Sequence, residues 1–160
     1  MQRLHTTFTS IPNLMNIFEL RTPALALLVV AGGACFAQTA GYVKNVTGEA
    51  SVTSAGKTVK AQPGTPLLTG DVIKTELASS LGVTLKDNTL MSFGPSTEFT
   101  LDAYLFAPAK GELKLGGKIA SGTMHYVSGA IAHLKPEAVE FKTPTGLIGV
   151  RGTRFVVVVE

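Results

Sequence analysis

From Gln38 onward the chain alternates apolar and polar residues in short runs, each cut off within a few residues by glycine, asparagine or proline. This pattern constrains the fold more than any other feature. Alternation turns one face of a strand inward, and no stretch carries a helical period of useful length. Tyr42–Val46 is a predicted strand. Ala50–Thr53 and Lys57–Lys60 flank Ser54-Ala55-Gly56, a hairpin-like turn. Leu67-Leu68 runs into the turn Thr69-Gly70-Asp71, and Val72–Thr75 follows. Leu81, Val83 and Leu85 share one face of the next strand. Lys86-Asp87-Asn88 is a turn in which Asn88 is suited to positive φ. Thr89–Phe93 is another strand, broken by Gly94-Pro95, and Glu98–Leu101 resumes with Phe99 and Leu101 inward.

The second half continues in the same style. Gly111–Leu115 alternates and is expected to stop at Gly116-Gly117. Thr123–Val127, Ala130–Leu134, Val139–Lys142, Ile148–Val150 and Arg154–Val159 are further predicted strands. The sum is an all-β domain of many short strands, with a β-solenoid-like stack and a β-sandwich both open. Phe155–Val159 is continuously apolar. Such a strand is expected to be buried on both faces or to pair with something further, because left uncovered it is an edge hazard.

The N-terminal residues follow a different rule. Thr22–Ala37 carries no charge and follows Arg21; its apolar core Ala24–Ala31 leads into Gly32, Gly33 and Ala34. A positive end, a short apolar core and a small-residue zone are the order of an export signal, with a cut expected between Ala37 and Gln38. Residues 1–37 are thus read as a signal peptide and 38–160 as the domain. Met15 offers an alternative start with the compact leader MNIFELR. Cys35 offers a second reading, lipidation, although Gly32 stands where a lipoprotein signal carries leucine. Membrane association follows only if Cys35 is lipidated or the signal stays uncleaved. Cys35 is the sole cysteine, so the exported domain cannot rely on a disulfide. Export removes Arg3, Arg21 and Glu19, so 14 basic and 11 acidic residues become 12 and 10, and the net charge falls from +3 to +2. That balance argues against a nucleic-acid partner.

Chemistry-bearing constellations are sparse. The exported part holds His125 and His133, eight residues apart, without the further ligands of a zinc site. There is no Gly-x-Ser-x-Gly elbow. Asp71, Asp87 and Asp102 sit in or beside turns, where aspartate is common for structural reasons. Gly149-Val150-Arg151-Gly152 lacks the ending and the following helix of a phosphate loop. Tyr42, Tyr104 and Tyr126 are too scattered for a carbohydrate-stacking platform. The expectation is a protein with no catalytic residues, no metal and no cofactor.

The densest local signal is Phe141–Phe155, FKTPTGLIGVRGTRF. Thr143-Pro144 favours an extended segment and removes one donor. Gly146, Gly149 and Gly152 are expected to allow close backbone approach or positive φ. Arg151 is expected to pair with a buried carboxylate such as Asp71, in which case its removal costs about 3–5 kcal/mol.

Several of these segments together resemble FecR-type domains, named for the ferric-citrate signalling regulator. Gly70-Asp71-Val72-Ile73-Lys74-Thr75 resembles the family's GDxIxT signature. Leu85–Leu90, with Asp87, looks like its LxDGSxL segment, with Asn88 at the usual glycine. Gly94-Pro95-Ser96-Thr97 matches the following turn. Thr143-Pro144 and Val150-Arg151-Gly152-Thr153-Arg154-Phe155 resemble TPxAxxxVRGTxF. The motifs occur in family order across Gly41–Val159.

The resemblance implies an extracytoplasmic β-rich domain without catalytic residues, periplasmic or secreted, with a protein partner in the envelope. The family's regulators relay a signal from an outer-membrane transporter to a sigma factor. This chain shows neither a helical region before its apolar segment nor a mid-chain span, the layout expected of a stand-alone exported member. Gly70, Asp71, Thr75, Asp87, Pro95, Thr143, Pro144, Arg151, Gly152, Thr153 and Phe155 carry the motifs, and their expected role is mainly to hold the fold.

Overall fold

The structure, a computed structural model, describes residues 39–151 and 154–160. The signal segment, Met15, Cys35, Gly152 and Thr153 lie outside the described residues. The described chain is all-β, as its alternation predicts. Its strands are β1 (Thr39–Thr47), β2 (Ala50–Ser54), β3 (Lys57–Lys60), β4 (Pro66–Leu68), β5 (Val72–Thr75) and β6 (Ser80–Leu85). There follow β7 (Leu90–Phe93), β8 (Glu98–Ala107), β9 (Glu112–Val127), β10 (Val139–Thr143), β11 (Gly146–Gly149) and β12 (Arg154–Val159).

The local turn chemistry explains the first hairpin. Ala55 and Gly56 have φ of 48° and 80°, the two positive values that a tight two-residue hairpin needs. Asn88 adopts φ 65° in the turn between β6 and β7, which its short polar side chain tolerates.

The strands form one curled sheet, a half-barrel, in the order β3-β2-β5-β8-β9-β7-β6-β1-β4. The 16-residue β9 is its spine. One side of β9 pairs with β8 along Glu112–Ser121 and with β7 along Met124–Val127. Its other side carries β10, in parallel, at Leu115–Lys118, and β12, antiparallel, at Gly122–Val127. Both walls of the curl therefore share one strand and face one core. Phe99, Leu115 and Ile119 come from one wall and Phe93, Met124 and Tyr126 from the other, each almost fully buried. A run of ring contacts crosses this core: Phe93–Phe99 at 4.9 Å, Phe99–Phe141 at 6.3 Å, Phe141–Tyr126 at 5.2 Å and Tyr126–Phe155 at 4.8 Å between centroids.

Three expectations need correction. Gly116-Gly117 does not end a strand: Gly111–Leu115 and Thr123–Val127 fall on or beside the single long β9. The reason is close packing, because a Cβ on Gly117 would run into the Phe99 ring. Glycine here admits an aromatic neighbour and makes no turn.

Ala130–Leu134 is not a strand but one turn of helix, α1. The backbone carbonyl of Asp87 accepts the Ala130 N–H at 2.7 Å, and its Oδ2 accepts the Ile131 N–H at 3.2 Å. A distant aspartate thus satisfies donors that the start of a helix leaves open.

Finally, β12 is not buried on both faces. Val157 is 8% exposed, but Val156 and Val158 are 58% and 66% exposed. The strand pairs with β9 on one side and, among the described residues, with nothing on the other.

Candidate functional site

The motif segments form three clusters. Asp71 closes the turn from β4 to β5. Its Oδ2 accepts the Leu68 N–H at 2.7 Å, and its backbone carbonyl accepts the Leu101 N–H at 3.0 Å. Gly70, at φ 93°, donates its N–H to the Leu101 carbonyl at 2.7 Å. The GDVIKT segment therefore ties itself to β8.

Thr75, at the other end of the same segment, meets the GPST turn. Its hydroxyl donates to the Gly94 carbonyl at 2.6 Å and accepts the Thr97 N–H at 2.9 Å. The Thr97 hydroxyl in turn accepts the Thr123 N–H at 3.0 Å. Pro95 lies within this knot, in the turn between β7 and β8, and is exposed. Two motif segments and the spine strand β9 are thus joined through two buried threonines.

The third cluster surrounds Asp87, which is 1% exposed. Its Oδ2 accepts the Thr89 hydroxyl at 2.7 Å in addition to the Ile131 N–H. The Tyr104 hydroxyl donates to Asp87 Oδ1 at 3.3 Å and accepts the Asp87 N–H at 3.0 Å. Burial first, and then the adjacent Asp87 carboxylate, hold the Tyr104 pKa far above the usual phenol range. The Tyr126 hydroxyl is buried with no hydrogen bond of good geometry. Burial pushes its pKa up as well, and the nearby Ser128 and Thr89 side chains partly oppose this. Tyr104 lies outside every motif segment, and Thr89 and Thr97 lie inside them without being singled out, because the importance of all three comes from what they touch in the folded chain.

The C-terminal motifs behave differently. Thr143 is the extended end of β10, and Pro144 opens the tight turn into β11. The Thr143 hydroxyl accepts the Gly146 N–H at 3.0 Å and donates to the Gly146 carbonyl at 3.1 Å. Gly146 and Gly149 have neither positive φ nor close neighbours: a Cβ on either would meet open space. The expected close backbone approach is therefore absent at these two.

Arg151 is exposed, whereas Asp71 is buried with its carboxylate on the Leu68 amide. The expected buried pair does not form, because the turn itself supplies a partner for the carboxylate. Among the described residues, ion pairs join Lys60 to Glu49 at 3.4 Å and Lys74 to Glu98 at 2.9 Å. Phe155 packs on Tyr126 and Phe141.

His125 is half-buried on β9, and His133 is exposed on α1. Among the described residues no group of three or more His, Cys, Asp or Glu is placed to hold a metal. No helix among them is long and apolar enough to cross a membrane. A further surface feature is the side of β12 that no described strand covers. It opens onto two adjoining grooves between β11 and β12, of about 490 Å³ and 300 Å³. Leu147, 60% exposed, lies on the β11 wall.

Fold and motif clusters define an all-β module in which the side chains of Asp71, Thr75, Asp87 and Thr143 hydrogen-bond turns and strands to one another. The family model described as FecR protein matches residues 71–160, more than half of the chain, and the chain belongs to the FecR family. That family consists of regulators associated with envelope signalling. No curated protein and no solved structure matches the chain. The matched segment begins within the Asp71 turn, yet the sheet extends beyond it: β1 pairs with β6, and β2 with β5.

Proposed function

We propose that the chain is exported through its N-terminal segment and serves as a non-catalytic, protein-binding module of the cell envelope. The observation that carries this reading is the open edge of β12. There a strand with two exposed valines has, on its outer edge, no strand partner among the described residues, and a groove runs beside it. Such an edge accepts another extended segment through main-chain hydrogen bonds, with side-chain pockets giving specificity. Membership of a family of envelope regulators supports a protein partner. The same edge favours a second reading, in which the chain is a sensor that meets the signalling domain of an outer-membrane transporter and acts on a sigma factor.

The test is site-specific photocrosslinking in cells that express the full chain. A photoreactive residue at Val158 is expected to give a discrete protein adduct in the envelope fraction. The same residue at Leu77, 83% exposed on another loop, is expected to give none. Equal labelling from both positions, or a protein confined to the cytoplasm, would reject the reading. An adduct with a transporter would select the sensor.

A further inference from the structure

The exposed face of β12 has a charge pattern that is complementary to itself. Along the strand and one residue past it, Arg154, Val156, Val158 and Glu160 are exposed, while Phe155, Val157 and Val159 point towards the core side. We propose that the β12 edge pairs with β12 of a second copy of this chain, antiparallel and centred on Val157. This names the partner of the edge and rests on the reading that the edge binds protein.

In that register Arg154 stands opposite Glu160 of the second copy, and Val156 opposite its Val158. The two-fold axis repeats both contacts, so each end of the pair carries one opposite-charge couple and the middle carries two valine couples. Directly opposed side chains on one face are the unit of sheet stabilisation, and opposite charges or β-branched pairs favour it. Other arrangements lose this. Parallel in-register pairing sets arginine beside arginine and glutamate beside glutamate. Antiparallel pairing centred on Val156 places Arg154 against valine, and centring on Val158 places Glu160 against Val156. The observed order of charge, two valines and opposite charge selects one register among these.

The other face is compatible. Phe155 would lie opposite Val159 of the second copy, so the half-buried ends of the strand would extend each other's apolar surface. The grooves between β11 and β12 border the same stretch, Arg154–Glu160. A two-fold interface of one strand on its own copy is isologous and closes at two subunits. It also removes the edge hazard that an uncovered valine-rich strand presents.

The experiment uses protein purified from cells that express the full chain, with its mass measured by sedimentation over a range of concentration. The wild type is expected to sediment as two copies. Arg154→Glu and Glu160→Arg each set like charges opposite one another at both ends, and each is expected to weaken association about tenfold or more. The double variant Arg154→Glu/Glu160→Arg restores opposite pairs with reversed polarity and is expected to recover the dimer. All of these sites are exposed, and circular dichroism of each variant checks that the sheet is intact.

A wild type that stays monomeric, or single variants that dimerise as well as the wild type, would overturn the proposal. So would a double variant that fails to recover. A monomer that still gives a foreign adduct at Val158 rejects the second copy and leaves the binding reading standing. A monomer with no adduct rejects both.

Discussion

The Tyr104 hydroxyl accepts the backbone N–H of Asp87 at 3.0 Å and donates to the Asp87 Oδ1 at 3.3 Å, so one phenol satisfies both the main chain and the side chain of a buried aspartate. Tyr104 stands on β8 and Asp87 in the turn between β6 and β7. The contact therefore links two parts of the sheet that are not neighbours in its strand order. Tyr104→Phe keeps the ring and leaves the Asp87 N–H without its partner, an expected loss of about 1–3 kcal/mol. Asp87→Ala also releases the Thr89 hydroxyl and the Ile131 amide and is expected to cost about 3 kcal/mol or more. Urea unfolding of the two variants measures both, and the order of the two losses is the critical result.

Thr75 gives an independent measure of the motif contacts. Its hydroxyl is both donor to Gly94 and acceptor from Thr97. Thr75→Val preserves shape and removes both bonds, with an expected loss of about 1–3 kcal/mol. Thr75→Ser retains the hydroxyl and is expected to lose clearly less. Equal losses for the two would show that the methyl group, not the hydroxyl, matters at this site.

How much of this was legible in the sequence depended on how far away the deciding partner lies. Asn88 and the Ala55-Gly56 turn are local: a small polar residue or a glycine at positive φ declares itself within a few residues. The inward faces of Phe99 and Leu101 are local in the same sense. Gly117 is not, because the ring that requires it belongs to Phe99 on the neighbouring strand, and a Gly-Gly pair otherwise reads as a break. Helix α1 was illegible because Asp87, which meets its first donors, is 44 residues from Ile131. Arg151 misled for a related reason. Its charge invited a buried partner, but Asp71 had already found one three residues away, in the Leu68 amide.

The two buried phenols make stability sensitive to alkali. An unfolded tyrosine ionises near its ordinary value of 10.0, whereas both Tyr104 and Tyr126 are raised in the folded protein. Above that value the unfolded state has released protons that the folded state still holds. Unfolding is then favoured as pH rises, since stability falls wherever the unfolded state binds fewer protons. Their contribution is fully present below pH 10 and declines above it, up to the raised folded values. The unfolding midpoint in urea, followed from pH 8 to 11, is expected to drop above about pH 10. The drop should be smaller in Tyr104→Phe relative to that variant's own value at pH 8.

Gly129 precedes α1 and packs directly on the Asp87 turn. A Cβ there would collide with the Thr89 backbone nitrogen and the Asp87 carbonyl oxygen. Neither is a flexible side-chain tip, so the turn itself must move. Gly129→Ala is expected to cost about 3 kcal/mol by overpacking and to weaken the Asp87 hydrogen bonds with it. Combining it with Asp87→Ala should give less than the sum of the two losses, because both act on one cluster. Full additivity would separate the glycine from the aspartate network.

Arg151 is the case in which motif and structure point in opposite directions. It lies in the VRGTRF segment, and the sequence invites a buried ion pair whose loss would cost about 3–5 kcal/mol. The side chain is exposed, and neither ion pair among the described residues includes it. An exposed substitution away from packing and hydrogen bonds typically changes stability by no more than about 0.5 kcal/mol. Arg151→Ala is therefore expected to leave the urea midpoint nearly unchanged, while Asp71→Ala, which frees the part-buried Leu68 amide, lowers stability by about 1–3 kcal/mol. Arg151 borders the grooves beside β11 and β12, so its effect should appear instead in the yield of the Val158 crosslink. A stability loss for Arg151→Ala as large as that of Asp71→Ala would return the arginine to the fold.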